Sequence, residues 1–453
     1  MLNLIFQNKY KPLTNKFNYV INNFLTNYNI NTQCELYFGR SKKSNKITIS
    51  PGKDLIKFFT SEDTVPENYN FIEWENQRIP ILFTESIDKP IFTLNQTGQS
   101  LKINYDILSS AFYFLSCWQE WNSNKVDKIG RFPADESFLF QHNLLDIPIV
   151  NYYFDILKRA IEKHNSQTIN LKNKYIKAFV THDIDQCKTG WKQNSGRAMM
   201  EGHPWIATKT VINKIFDKDV WFNFEKMLAI EKEYNIKSTY FFLPTKNKVN
   251  NINNADYDIN SSEIQNVIKK IKDNGHEIGI HGSYDSGFNK KLFLNNLGDF
   301  PLDIKGNRFH FLAMNIPQTY NILESADIKY DTTLGFAEHI GFRSGYCYPY
   351  NPYDIKNDNV FNFVEFPLMV MDRTLDSREY MNLVPDQALD KVKNIISEID
   401  RFKGSFVFLW HNKFMSGYKF SQWHKFYLQI IQILQNHNSE FLTPGKLQKN
   451  NVK

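Results

Sequence analysis

The sequence holds four cysteines in 453 residues, Cys34, Cys117, Cys187 and Cys347, widely separated and without C-x-x-C spacing. That scarcity argues against both a thiolate zinc cluster and a disulfide framework. Long hydrophobic runs are missing as well. No stretch is apolar for long enough to cross a bilayer, and residues Met1 to Tyr10 lack the apolar core of a secretory signal. A cytoplasmic protein without a transmembrane segment is therefore expected. Charge of one sign is not concentrated either. The net charge is +6, yet no segment packs Lys and Arg densely enough to read as a nucleic-acid surface, so no nucleic-acid partner is expected.

Aromatic residues, by contrast, make up 15% of the chain, with 38 Phe and 23 Tyr. A Phe-rich core accounts for most of them, since these side chains bury so much area. The chain is longer than the roughly 100–200 residues of one domain. A polar break at Asn165-Ser166-Gln167-Thr168-Ile169-Asn170 places the division between 1–170 and 171–453. The first part mixes β-like runs (46–50 and 78–83) with helical periodicity over 107–121 and 147–164, which predicts a smaller mixed α/β domain. It carries no catalytic constellation, and its role is open. The second part alternates strands and helices, as a parallel sheet closed or nearly closed into a barrel would. In such folds chemistry gathers at the C-terminal ends of the strands.

Several metal-binding or titratable side chains follow apolar runs in this second part: His182, Asp183, Asp185, His281, Asp285 and His411. His281, Asp285 and one carboxylate of the Asp183/Asp185 pair would make a three-ligand divalent site with one position left for water. The other carboxylate would be the general base, and His411 would protonate a leaving amine. The bland readings are that the aspartates cap turns and the histidines pack. Six such residues at successive strand ends weigh against that.

These motifs resemble the polysaccharide deacetylases, the carbohydrate esterase family with the NodB homology domain. Thr181-His182-Asp183-Ile184-Asp185 resembles the first motif of that family, and His276 to His281 the second, with Gly282 in place of a Ser or Thr and Asp285 in place of the last His. Gly306-Asn307-Arg308-Phe309-His310, Tyr330-Asp331-Thr332-Thr333 and Val407-Phe408-Leu409-Trp410-His411 stand where its remaining three motifs fall. Segments 109–112, 130–132 and 335–345 look similar to a bacterial branch with a long N-terminal extension.

The resemblance implies a distorted (β/α) barrel of the polysaccharide deacetylase type. It implies Asp183 as base, with Asp185, His281 and Asp285 as ligands of one divalent ion. Zinc is the first expectation; manganese, cobalt or nickel are alternatives, because an aspartate ligand makes the site harder. Arg308 would orient the base, His411 would be the acid and Asp331 would tune His411. Arg343, Tyr348, Tyr350 and His182 are expected to contact the substrate. The implied activity is removal of N- or O-acetyl groups from a sugar or polysaccharide. A carbohydrate-binding or assembly protein that has lost catalysis is the alternative, favoured by the changes at Gly282 and Asp285.

Overall fold

The computed structural model describes residues 2–31, 33–40, 45–94, 100–216 and 219–451. The chain forms two compact units, and the division is not one cut near 170. The first unit is 1–125, 135–174 and 344–361; the second is 126–134, 175–343 and 362–453.

The first unit is built on a five-stranded sheet. Leu2–Phe6, Cys34–Phe38, Ile47–Ile49 and Leu101–Ile103 run parallel, and Phe92–Leu94 closes the edge antiparallel. Helices Thr14–Asn27, Ile107–Leu115 and Ile149–Asn165 belong to the same unit. Ile107–Leu115 is buried along its whole length, as a helix apolar all round must be. It starts at Asp106, whose carboxylate accepts the Ser109 amide at 2.9 Å and so satisfies an otherwise orphan donor.

The second unit is a curled parallel sheet. Its strands are β1 (Lys177–Ile184), β2 (Thr239–Phe242), β3 (Glu277–Gly282), β4 (Gly306–Phe309), β5 (Tyr330–Asp331), β6 (Val364–Glu365), β7 (Val370–Met371), β8 (Ser405–Leu409) and β9 (Glu440–Phe441). Across the sheet the order is β6-β5-β4-β3-β2-β1-β8-β7, and β9 pairs with the start of β1. The segment joining β6 to β7 links the two edge strands and bonds the strands next to them: the Phe366 amide donates to Asp331 O in β5, and the Met369 amide to Val407 O in β8. The sheet is thus curled almost to closure, a distorted α/β barrel.

Side chains alternate across each strand, and that sorts the sequence into two surfaces. On β1, Phe179, Thr181 and Asp183 share one face. On β8, Val407 and Leu409 share one face and His411 continues it. Phe179, Phe241, Tyr330, Phe366, Val407 and Leu409 form one buried cluster. Above this apolar floor, at the C-terminal ends of the strands, the same rows continue into Asp183, Asp185, His281, Arg308 and His411.

Candidate active site

Register explains the gathering of the site. β3 pairs with β4 so that His281 lies beside Arg308, and β1 and β8 are neighbours at Thr181 and Leu409. Asp183, on β1, is 2% exposed and meets side chains from β3 and β4. Its Oδ1 accepts from Arg308 Nη1 at 3.1 Å, and its Oδ2 lies 3.5 Å from His281 Nε2. Arg308 is fully buried and held by three more contacts. Its Nε donates to Thr332 O at 3.1 Å, its Nη1 to Thr181 Oγ1 at 2.8 Å, and its guanidinium lies over the Phe241 ring. A planar cation fixed in this way holds the Asp183 carboxylate in one orientation.

Asp185 lies one step beyond the end of β1. Its Oδ1 is 3.4 Å from His281 Nε2 and 3.8 Å from His310 Nε2; its Oδ2 is 3.4 Å from His411 Nε2 and 3.5 Å from Lys413 Nζ. Burial alone would raise its pKa, but the neighbouring His411, His310, Lys413 and His281 outweigh that and hold it well below the usual carboxylate range. Asp185 Oδ1 is buried and without a hydrogen-bond partner. One ligand atom each from Asp185, His281 and His310 falls within 4.8 Å of the others. Tetrahedral ligation with bonds of about 2.1 Å sets ligand atoms roughly 3.4 Å apart, so the set fits a divalent ion with modest tightening.

The two imidazoles suit that use. His281 Nδ1 faces Arg308 O at 2.8 Å, which places the ring proton there and leaves Nε2 as a ligand. Burial would lower the His281 pKa, but Asp183 and Asp185 raise it above the ordinary value. Nε2 therefore attracts a positive charge, and a metal ion competes with the proton for that place. His310 is driven down to about 3, chiefly by burial, and so stays neutral and free to ligate.

The third member of this cluster is His310, not Asp285. Asp285 lies past β3 in a left-handed turn, φ 71°, its carbonyl accepting the Phe288 amide, and it is not among the residues that line the cavity. Gly282 precedes that turn because a Cβ there would come within 2.5 Å of the Phe309 ring. His310 enters through a kink: Phe311 (φ 62°) and Leu312 (φ 53°) are both left-handed, a costly conformation for bulky residues. Arg131 braces it, donating from Nη1 to Phe311 O at 2.7 Å while Nε and Nη2 grip Asp127 Oδ2 at 2.8 and 2.7 Å.

His411 is oriented by Asp372, not by Asp331. Asp372 Oδ1 accepts from His411 Nδ1 at 2.7 Å, and its Oδ2 accepts the His411 amide. Asp331 is occupied elsewhere. It accepts from Asn307 at 2.7 Å and from the Thr333 amide at 2.9 Å, and it lies opposite Glu365 on β6. Burial raises both carboxyls above their ordinary values, and the neighbouring Asp331 charge adds to the rise of Glu365.

The four expected substrate contacts fall outside the cavity. His182 points to the other face of β1, with Nδ1 2.7 Å from Trp410 O and Nε2 2.9 Å from Glu231. Arg343 donates to Gly335 O at 2.8 Å and lies over Phe336. Tyr348 and Tyr350 belong to the first unit, where both are buried against Tyr346. The cavity itself is about 160 Å³. Its walls add Lys413, Arg373, Glu379 and Tyr380 to the polar set, and Leu312, Ala337, Met371 and Leu409 supply an apolar side.

Comparisons with known proteins bear on each part. Residues 5–166 match a family of unknown function, DUF7033. No curated protein matches the chain. Among solved structures, a Mycobacterium smegmatis protein assigned as a polysaccharide deacetylase is similar at 15% identity, over 62% of this chain and 91% of its own, with a TM-score of 0.40. The allantoinase Puue is similar at 11% identity, over 60% and 89%, with a TM-score of 0.38. A CE4 family pseudoenzyme from Bacillus anthracis is similar at 10% identity, over 61% and 66%, with a TM-score of 0.31.

Proposed function

We propose that this chain is a divalent-metal-dependent hydrolase that removes an acetyl group, amide- or ester-linked, from a carbohydrate. The observation that carries the reading is the convergence of Asp185, His281 and His310 on one point, beside Asp183 and His411 in the same cavity. Asp185, His281 and His310 would hold the ion, which when bound supplies Lewis acidity that eases ionisation of water and polarises a carbonyl. Asp183, held by Arg308, takes the proton from the attacking water. His411 gives a proton from Nε2 to the departing nitrogen or oxygen, while Asp372 on Nδ1 stabilises the charged ring. Tyr380 and Lys413 line the space where the acyl oxygen would lie.

The test is Asp183→Asn, measured for both metal content and acetate release from acetylated glycans. Loss of turnover by about a hundredfold or more with full metal content is expected. Undiminished release would remove Asp183 from the base role. The change at Gly282 favours a second reading, a carbohydrate-binding protein on the same fold. It would be favoured if the metal-loaded wild type binds acetylated glycans and releases no acetate.

A further inference from the structure

Between β1 and β2 the chain makes a helical hairpin of α1 (Gly190–Met200) and α2 (Pro204–Phe216). A tight turn closes it, with Gly202 at φ +75° and the His203 amide donating to Ala198 O at 2.8 Å. Ala198 and Ala207 are buried, small enough to let the helices approach. α1 is tied to the body of the second unit through Asn194, whose Oδ1 accepts the Lys419 amide at 2.9 Å.

The outer surface of this hairpin exposes a cluster of large apolar side chains among cationic ones. Phe216 (85%), Met200 (79%), Trp205 (76%) and Ile215 (70%) are the four most exposed large hydrophobic residues among the described residues, and Met199 and Ile212 are exposed beside them. On α2 they are not scattered. Trp205, Ile212 and Phe216 recur at seven and four residues and fall on one face, with Ile215 at its margin. The face is roughly 20 Å long by helix geometry. Patches of this kind mark contact surfaces.

We infer that the α1–α2 hairpin docks on an anionic phospholipid surface. Charge selects that occupant. The hairpin carries Lys192, Arg197, Lys209 and Lys214, and its one carboxylate, Glu201, is taken by Arg197 at 2.5 Å. A cationic surface with protruding Trp, Phe and Ile is the pattern of interfacial helices that lie in the headgroup region. A second copy meeting the same face about a twofold axis would bring like charges together with no acidic partners to offset them. The hairpin also opens onto the site. A cleft of about 740 Å³ is lined by Arg197 and Glu201 at the hairpin and by Arg373 and Glu379, which also line the candidate cavity. If the hydrolase reading holds, docking would bring the cleft to a substrate carried at the lipid surface. The docking itself does not rest on that reading.

The test is sedimentation of the full chain with phosphatidylcholine vesicles, with and without phosphatidylglycerol, for wild type and for the double variant Trp205→Ala/Phe216→Ala. Wild type is expected to bind the anionic vesicles, more weakly at high salt, and the double variant to bind at least about tenfold more weakly with unchanged circular dichroism. Three results would overturn the proposal. One is no wild-type binding to either vesicle. Another is binding that the double variant leaves intact. The last is a wild-type dimer in sedimentation velocity that the double variant dissolves, since the face would then belong to a second copy. Acetate release is measured separately on soluble glycans, so loss of activity and loss of docking are told apart.

Discussion

His281 and the Asp183/Asp185 pair announce themselves in the sequence because each follows an apolar run at a strand end, where a barrel collects its chemistry. His310 carries the same signal more faintly. Arg308 and His310 are two residues apart, as Asp183 and Asp185 are, and alternation points both pairs into the barrel. What hid it was local distance: Asp285 lies four residues from His281, and nearness along the chain suggested a shared ion. The backbone turns at Asp285, and the candidate third ligand is His310, just past the end of β4. The two candidates give opposite expectations. His310→Ala should lower zinc affinity by two orders of magnitude or more, as loss of a metal ligand does, whereas Asp285→Ala should change it little. Competition with a chromophoric chelator measures both. Equal losses in the two variants would return Asp285 to the site.

At the scale of elements, strands and helices with a clean period were legible. The helical periodicity over 147–164 is observed as the helix Ile149–Asn165, and the β-like run 78–83 as the strand Gln77–Leu82. Two kinds of element were not. β6 and β7 are two residues each, too short to show any period, and Asp372 follows β7 directly; a residue that orients His411 was therefore invisible. The α1–α2 hairpin was missed for another reason. Its apolar stripe faces outward, so it does not register as part of a core. Arg131 lies in a segment with no helical or strand pattern at all, yet it holds the kink that delivers His310. Arg131→Ala leaves Asp127 Oδ2 and Phe311 O without the guanidinium donor, while Asp127 Oδ1 keeps the Ile129 amide. A cost of about 2–4 kcal/mol is expected from the loss of buried charge-assisted bonds, together with weaker zinc retention as the kink relaxes. Arg131→Lys, which keeps the charge but not the fork, should fall between. Urea unfolding with zinc titration reads both effects, and a variant that loses stability but keeps full zinc affinity would separate the brace from the site.

At the scale of the molecule, the sequence suggested one boundary, while the chain assigns 126–134 to the second unit and 344–361 to the first. Both exchanges are short and lack the composition shift that marks a linker, so a linear scan for polar breaks passes over them. The division has a thermodynamic consequence. All three candidate ligands, Asp185, His281 and His310, lie in the second unit, and an ion that binds only the folded site stabilises whatever unfolds with that site. Free zinc at a hundred times its dissociation constant contributes about 2.7 kcal/mol. For a unit of this size that is a rise of roughly 5 °C or more in its midpoint. Calorimetry with and without zinc should therefore show the transition of the second unit moving up while that of the first stays in place. If the whole chain melts in one step and moves together, the two units unfold as one cooperative body. If neither transition moves, the Asp185–His281–His310 cluster holds no zinc.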